Sequence, residues 1–297
     1  MKLKIKNKYN PENDITIVNG NCIELLEKIE DNSLQLIVTS PPYNIGKEYE
    51  KKIPMDEYLN SQEEVINLCA NKLSSRGSLC WQVGHNISGN KKEAEVFPLD
   101  IILYDLFKRN ELFLRNRIVW HFGHGLHNEY RFAGRHETIL WFTKTDDYTF
   151  NLDAVREKQK YPGKKHYKGP NKGQYSGNEK GKNPSDVWDI PNVKNNHIEK
   201  TLHPCQFPIA LVERLIKALT NPGDMVFDPY MGVGTTVAAS IRLKRKAVGS
   251  EIDKKYYKIA CERVQEAIEG KLLVRPDKPP YKPPINTKLT TDPWVTK

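Results

Sequence analysis

The sequence predicts an α/β fold: a mostly parallel sheet of seven strands, flanked by helices, with an antiparallel pair at one edge. Short apolar runs alternate with segments of helical period over residues 15–150 and again over residues 206–268, and this alternation is typical of parallel sheets. Two β-rich runs, residues 113–122 and 137–143, follow one another without a helical segment, which indicates antiparallel neighbours. The 297 residues, of which 38% are hydrophobic, are enough for a sizeable core.

The elements of the first half are predicted from their hydrophobic period. Short runs rich in apolar and β-branched side chains favour buried strands. They lie at residues 15–18, 34–38 and 78–83. In the segments between and after them, apolar residues recur every three to four positions, which indicates helices. These helical segments cover residues 22–29, 56–73 and 99–108.

The second half repeats this pattern at shorter intervals. Residues 225–227 and 247–249 are short apolar runs that predict two further strands. Helical period predicts the segments around them to be helices, at residues 207–219, 235–242 and 256–268. From residue 271 onward six prolines predict an extended, polyproline-like tail.

Composition narrows the class of protein. Lysine and arginine outnumber aspartate and glutamate by 46 to 37, a net charge of +9, which favours polyanionic partners. A mean hydropathy of −0.65 and the lack of any apolar run near ~20 residues exclude a membrane span. The first ten residues have no apolar stretch of the kind found in secretory signals. Five scattered cysteines without a Cys-x-x-Cys pair predict a reduced, cytosolic chain.

Residues 156–186 differ in character from the rest of the chain. Their only apolar side chains are three tyrosines, and between Lys158 and Lys182 eight lysines accompany a single acid, Glu179. Such a segment cannot supply a core, so we expect a loop or an insertion that becomes ordered on a partner. The lysines expected to contact phosphates are Lys158, Lys164, Lys165, Lys168 and Lys172.

A glycine-rich segment, Asp-Pro-Tyr-Met-Gly-Val-Gly-Thr-Thr at residues 228–236, lies between a predicted strand and a predicted helix. Seventeen residues after Gly234, Glu251 ends the next strand, where a carboxylate can bind the two hydroxyls of a ribose. The segment lacks the lysine of a phosphate-binding Walker loop, and Val237 stands where a dinucleotide fingerprint has a third glycine. A nucleoside joined to a charged amino acid fits better, with Asp228 predicted to meet a cationic amino group.

A second motif, Thr-Ser-Pro-Pro-Tyr-Asn at residues 39–44, also follows an apolar strand. Pro41 and Pro42 have no N–H, so we expect their carbonyls to point outward as rigid acceptors beside the Ser40 hydroxyl. Acceptors around an amino group on an aromatic ring can pull its nitrogen toward tetrahedral geometry and localise its lone pair. Tyr43 offers a face on which a flipped base can stack.

Together, Ser-Pro-Pro-Tyr and Asp-Pro-x-x-Gly-x-Gly-Thr-Thr resemble the signature of DNA amino-methyltransferases, which use S-adenosylmethionine. Their order, with the basic segment between them, resembles the permuted β-class of restriction-modification type. The resemblance covers residues 14–268. Residues 19–22, 136–142 and 203–208 resemble further family segments: the strand end that holds the cofactor adenine, the last strand before target recognition, and the lining of the methionine end.

The resemblance implies a class I, Rossmann-like methyltransferase fold in four parts. They are a catalytic half (1–143), a target-recognition insertion (144–202), a cofactor half (203–270) and the proline-rich tail (271–297). It implies S-adenosylmethionine as cofactor, no metal, and cytoplasmic double-stranded DNA of a bacterium or archaeon as partner. It leaves open whether a cognate restriction endonuclease accompanies the protein, and whether the chain is a monomer or a homodimer.

The resemblance also assigns roles to residues. The catalytic set is Ser40, Pro41, Pro42 and Tyr43. The cofactor set is Asn21, Cys22, Asp228, Pro229, Gly232, Gly234, Thr235, Thr236 and Glu251. Asn21 departs from the family, which usually has aspartate there; its amide oxygen can still accept a hydrogen bond from adenine, so we expect weaker cofactor binding.

The resemblance gives two opposing indications of which base is modified. Family members with serine first in the tetrapeptide mostly methylate the amino group of cytosine, and those with aspartate or asparagine mostly that of adenine. Ser40 therefore favours N4-methylcytosine, whereas Asn44, frequent in adenine enzymes, favours the alternative, N6-methyladenine. More distant alternatives are an RNA methyltransferase and a non-catalytic DNA-binding module.

Two further patterns suggest other chemistry. Pro-Cys-Gln at residues 204–206 resembles the nucleophile motif of cytosine 5-position methyltransferases, but it precedes the glycine-rich segment, so we expect Cys205 to be an ordinary packing residue. Histidines 121, 124 and 127 have a spacing that could suggest zinc, yet no cysteine or carboxylate cluster completes a site. We expect instead a loop near the target base, with Arg131 and Arg135 on it.

Overall fold

The computed structural model describes residues 3–89, 91–123, 125, 127–158, 165–194 and 196–276. The strands are β1 (Ile5–Lys6), β2 (Ile15–Asn19), β3 (Leu34–Thr39), β4 (Leu73–Val83), β5 (His85–Ser88), β6 (Glu95–Pro98), β7 (Phe113–His121), β8 (His136–Thr143), β9 (Val187–Asp189), β10 (Met225–Asp228) and β11 (Lys246–Glu251). The α-helices are α1 (Cys22–Leu26), α2 (Met55–Lys72), α3 (Leu99–Ile102), α4 (Tyr104–Arg109), α5 (Ile209–Leu219), α6 (Thr235–Arg242) and α7 (Lys254–Ile268).

Nine of these strands form one sheet in the order β1-β2-β11-β10-β3-β4-β8-β7-β9. Only β8 runs against its neighbours, β4 and β7; the other pairs are parallel. β3 and β10, far apart in sequence, are neighbours, with Phe227 opposite Ile37. Because the carboxyl ends of parallel strands meet at one edge, the segments after β3 and β10 lie side by side there.

The sheet is buried on both faces, as expected for a mostly parallel sheet. Along β3, Leu36 and Val38 belong to the same core as the apolar side chains of α5 and α6. Ile37, which points to the opposite face, belongs to a second core with α1 and α2. The apolar run at residues 36–38 of β3 therefore follows from its central position.

The fold class predicted from sequence is confirmed, with differences at the margins. Two short strands, β1 and β9, extend the predicted seven-stranded sheet at its two outer edges, and β5 pairs with β6 in a separate hairpin. The helix predicted over 99–108 is two short helices, α3 and α4. α7 begins two residues before the predicted start because the Asp253 carboxylate accepts hydrogen bonds from the N–H groups of Lys255 and Tyr256.

Within the residues that the structure describes, no helix combines the length and the apolar character needed to cross a membrane. The proline-rich tail beyond residue 276 lies outside the described residues.

Candidate active site

Asp228, at the end of β10, joins the two sequence motifs. Its carboxylate accepts hydrogen bonds from the Thr39 hydroxyl at the end of β3 (2.6 Å) and from the Thr236 hydroxyl on α6 (2.6 Å). It also accepts the Tyr230 N–H (3.1 Å), and its side chain is 0% exposed. Three donors from three segments thus converge on one buried carboxylate, which fixes the position of the motif at residues 39–44 relative to the glycine-rich loop.

Burial bears on the predicted role of Asp228. The carboxylate is not among the groups that line the cavity described below, and burial raises its pKa to about 6; direct contact with a cationic amino group stays a prediction. Gly234 and Thr236 do not line the cavity either. Gly234 has φ +75°, and a Cβ there would stand 3.1 Å from the Cβ of Ala260, so this glycine permits α6 to pack on α7.

A cavity opens at the carboxyl edge of the sheet, between the two motifs. The predicted site residues that line it are Asn21, Cys22, Ser40, Pro41, Pro42, Tyr43, Pro229, Gly232, Thr235 and Glu251. The structure thus brings together all four residues of the predicted catalytic set and six of the nine predicted cofactor residues.

Glu251, at the end of β11, is held at the cavity wall by two backbone groups. One carboxylate oxygen accepts the N–H of Gly232 (2.8 Å) and the other that of Asp253 (2.8 Å). Burial raises the pKa of Glu251 to about 7 despite these hydrogen bonds. Gly232 has φ +55°, a left-handed conformation that brings its N–H toward the carboxylate.

Asn21 has a structural task that the sequence did not indicate. Its side-chain oxygen accepts the N–H of Ile23 (3.0 Å) and caps α1. The capping bond uses one of the two lone pairs of that oxygen. Cys22, the first residue of α1, is buried against the cavity, and burial raises the pKa of its thiol to about 11.

Aromatic rings from three parts of the chain close one side of the cavity. The Tyr49 ring stacks on the His203 ring with centroids 5.4 Å apart, and the Tyr256 ring meets the same imidazole edge-on at 4.5 Å. The Tyr256 hydroxyl donates to the carboxylate of Glu48 (2.8 Å). Burial lowers the pKa of His203 to about 4, so the imidazole is neutral at physiological pH. The sequence motifs did not single out Tyr49 or Tyr256.

A chain of polar side chains begins at the predicted catalytic residues. The Ser40 and Tyr43 hydroxyl oxygens are 3.2 Å apart, and the Tyr43 hydroxyl donates to the Glu137 carboxylate at 3.5 Å. The side-chain amide of Gln82 donates to the same oxygen of Glu137. Burial raises the pKa of Glu137 to about 7. The sequence predicted only that Glu137 lies in a strand, since nothing in one sequence shows that β8 brings it to Tyr43.

The carbonyls of the two prolines differ, contrary to prediction. The Pro42 carbonyl accepts the Tyr58 hydroxyl (2.9 Å) and is therefore committed to holding the loop on α2. Asn44 is also structural: its side chain is 3% exposed, donates to the Ile53 carbonyl and accepts the Ile53 N–H, both at 2.8 Å. Only the Pro41 carbonyl remains for the predicted role of amino-group acceptor.

Cys205 is not the packing residue that the sequence led us to expect. It is exposed, lines the cavity, and its N–H donates to the Nδ1 of His203 (3.2 Å). The reason is that α5 begins only at Ile209, so residues 203–208 cross the cavity wall as a turn.

The predicted DNA-contacting residues lie on two segments away from the cavity wall. Arg131 and Arg135 are half-buried in the connection between β7 and β8. Lys158, Lys165, Lys168 and Lys172 are exposed, and Lys164 lies outside the described residues. His121 pairs with the Asp189 carboxylate (3.1 Å), His127 is exposed, and His124 is outside the described residues. The described part of the chain holds no group of three potential metal-ligating side chains.

Comparisons with known proteins are consistent with this geometry. Residues 34–262 match the family model N6_N4_Mtase, described as DNA methylase. The chain is 50% identical over 246 residues to the type II methyltransferase M.BglII of Bacillus subtilis, covering 83% of this chain and 68% of that protein. It is 34% identical to the DNA adenine methyltransferase YhdJ of Escherichia coli K12, over 85% of this chain and 83% of that protein.

Two solved structures share the fold. The cytosine-N4-specific PvuII DNA methyltransferase superposes with a TM-score of 0.65 at 21% identity, covering 86% of this chain and 92% of that chain. TTHA0409 from Thermus thermophilus, complexed with S-adenosyl-L-methionine, gives a TM-score of 0.61 at 25% identity, covering 86% and 96%. The resemblance inferred from the two motifs is thereby confirmed: the chain belongs to the N6_N4_Mtase family of DNA methylases.

Proposed function

We propose that this protein transfers a methyl group from S-adenosylmethionine to the exocyclic amino group of cytosine in a specific double-stranded DNA sequence. The observation that carries the proposal is the Ser40 hydroxyl beside Tyr43, at the end of β3 and in the wall of the cavity. A cognate restriction endonuclease, against which the methylation protects cytoplasmic DNA, is part of the same proposal. Residues 1–143 and 203–270 are the catalytic and cofactor halves, and residues 144–202 recognise the target.

The cavity suits a nucleoside joined to a cationic amino acid. Glu251 presents a carboxylate beside the Gly232 backbone, as a ribose diol requires. The neutral His203 ring and the Tyr49 and Tyr256 rings offer aromatic surface without a positive charge, which suits a cationic ligand. When bound, S-adenosylmethionine supplies an electrophilic methyl group on a positively charged sulfur.

The catalytic residues hold the base and orient its amino group. The Tyr43 ring, fixed by its hydroxyl contacts to Ser40 and Glu137, is the surface on which an extruded base stacks. The Ser40 hydroxyl and the Pro41 carbonyl orient the two N–H bonds of the amino group. The proton that the nitrogen loses on methylation passes to solvent, either directly or through the Ser40 hydroxyl, which releases its own proton as it takes one up. No strong base is needed, so orientation supplies most of the acceleration.

Cytosine is favoured over adenine by two observations. Position 40 carries a hydroxyl and not a carboxylate, as in the family members that modify cytosine. Asn44, the residue that favours adenine, has both ends of its side-chain amide bonded to Ile53, so its presence is explained by loop structure. The relatives include both a cytosine-N4-specific and an adenine enzyme, so their names do not decide the base.

The test is mass spectrometry of nucleosides from unmethylated DNA incubated with the protein and S-adenosylmethionine. We expect N4-methylcytosine from the wild-type protein and none from Ser40→Ala, which serves as the matched control for contaminating activity. N6-methyladenine would contradict the choice of base while retaining the chemistry. Absence of any methylated nucleoside would contradict the proposed function.

A pH dependence follows from Glu137, whose pKa is raised to about 7. Above that pH the carboxylate accepts the Tyr43 and Gln82 hydrogen bonds; below it, protonation removes acceptor capacity and loosens Tyr43. Turnover at saturating cofactor should therefore rise between about pH 6 and pH 8. Glu137→Gln, which cannot ionise, should give a flat and lower profile.

Saturating cofactor is needed because Glu251 titrates in the same range, with a pKa also raised to about 7, and changes cofactor affinity instead. The KM for S-adenosylmethionine should fall as the pH rises through this range, in the wild type and in Glu137→Gln alike. A Glu137→Gln variant that keeps the wild-type turnover profile would contradict the role of Glu137.

A further inference from the structure

The connection between β7 and β8, residues 122–135, starts and ends at the catalytic edge of the sheet. His121 pairs with His136 at its base, and the Phe122 N–H donates to the Arg135 carbonyl (3.0 Å). Glu137, which follows His136 along β8, accepts a hydrogen bond from the Tyr43 hydroxyl. The connection is therefore anchored within two residues of the side chain that holds the proposed base-stacking tyrosine.

Phe132, on this connection, is fully exposed at 102%, more than any other large hydrophobic side chain in the described residues. Two tryptophans of the adjoining strands are packed instead: Trp120 is 3% and Trp141 6% exposed. Leaving an aromatic ring entirely in water forgoes the free energy of burial. A ring in this position is therefore available to a partner, and its location beside the catalytic edge restricts which partner that is.

The turn that leads to Phe132 is locally ordered and carries the acid Glu129 as well as Arg131. The Asn128 side-chain oxygen accepts the N–H groups of Tyr130 (2.9 Å) and Arg131 (3.0 Å), which fixes the turn just before Phe132. The Lys92 ammonium lies 5.4 Å from the centre of the Tyr130 ring. An exposed aromatic side chain flanked by positive charge suits the stacked bases and phosphates of DNA.

We propose that Phe132 enters the base stack of double-stranded DNA and fills the gap that the target base leaves when it is extruded onto Tyr43. This inference rests on the proposed function. Extrusion breaks the stacking of the target base on both neighbours, and an inserted aromatic ring restores part of that stacking. Arg131 contacts the phosphates beside the gap and holds the connection on the duplex.

The test compares methylation of two duplexes by the wild type and by Phe132→Ala. One duplex carries the target base in a normal pair; in the other the target lies opposite an abasic site, where extrusion costs less. The recognition sequence is read from the positions that the wild type methylates. On the paired duplex, Phe132→Ala should lower kcat/KM by about 10- to 100-fold, the equivalent of one lost stacking contact. On the abasic duplex the two proteins should differ by less than about 3-fold.

Phe113→Ala is the matched control, since Phe113 is an exposed aromatic residue (46%) at the opposite end of β7. It should behave as the wild type on both duplexes. Phe132→Leu, which keeps an apolar wedge without a π-face, should give an intermediate loss, and thermal melting verifies that each variant is folded. A fluorescent base analogue at the target position should report less extrusion by Phe132→Ala.

Three outcomes would overturn the inference. They are wild-type activity of Phe132→Ala on the paired duplex, an equal loss on both duplexes, and a change of oligomeric state, which would place the ring between two copies of the chain. Failure of the proposed function would look different from all three, because the wild type would then methylate neither duplex.

Discussion

Tyr43→Ala is expected to lower methyl-transfer turnover by about 100-fold or more while the affinity for S-adenosylmethionine changes by less than about 3-fold. The expected loss is large because, in the proposed function, Tyr43 is the surface for the extruded base, and its hydroxyl also touches Ser40 and Glu137. Without the ring, the amino group has no fixed position relative to the methyl donor. Single-turnover methylation and calorimetric titration with the cofactor measure the two quantities.

The affinity should survive because Tyr43 contributes little to the walls expected to hold the nucleoside. Those walls come from β11 and the glycine-rich loop, through Glu251 and Gly232. The Tyr43 backbone is held separately, since the Asn86 side chain donates to its carbonyl (3.0 Å). Truncating the ring therefore leaves the loop anchored.

Tyr43→Phe separates the two contributions of the side chain. It retains the stacking face and removes the hydroxyl, so we expect a smaller loss, about 10-fold, together with loss of the pH dependence that Glu137 imposes through this hydroxyl. Weakened cofactor binding in Tyr43→Ala would contradict the division between a catalytic and a cofactor segment. Equal losses in the two variants would assign the whole effect to the hydroxyl.

The fold could be predicted from sequence where hydrophobic period is strong. β3, with its apolar run at residues 36–38, and α6, whose predicted bounds are those observed, are of this kind. β1 and β9 were missed because two or three residues carry no measurable period, and sheet pairing decides their conformation. In β9 the only buried side chain is Trp188, whose indole N–H donates to the Ser185 carbonyl.

The site was predictable where a motif is local and not where it depends on a partner element. Ser40 and Gly232 stand in contiguous motifs at strand ends, and both line the cavity. Glu137 was missed because its proximity to Tyr43 depends on the antiparallel pairing of β8 with β4. The contacts of Asp228 with Thr39 and Thr236 were missed, since a sequence does not show which side chains are buried together.

Asp228→Ala is expected to lower the free energy of unfolding by about 2–4 kcal/mol, because it leaves the buried donors of Thr39, Thr236 and Tyr230 without their acceptor. Cofactor affinity should fall by about 10-fold or more, since the glycine-rich loop is then no longer fixed to the end of β3. Urea unfolding and calorimetric titration measure these effects. Wild-type values for both quantities would contradict the view that the Asp228 hydrogen bonds hold the glycine-rich loop to the end of β3.

Asp228→Asn distinguishes the observed contacts from the direct role that the sequence suggested. If the carboxylate bound a cationic amino group, its charge would be essential, and asparagine would weaken cofactor binding as much as alanine. If it acts only as a buried acceptor, the amide oxygen keeps one hydroxyl partner and its NH2 group donates to the other, because threonine hydroxyls both donate and accept. We therefore expect Asp228→Asn to retain at least half of the unfolding free energy that Asp228→Ala loses, and a cofactor affinity within about 3-fold of the wild type. Equal loss of affinity in the two variants would restore the direct contact and would require Asp228 to reach the cavity when the cofactor binds.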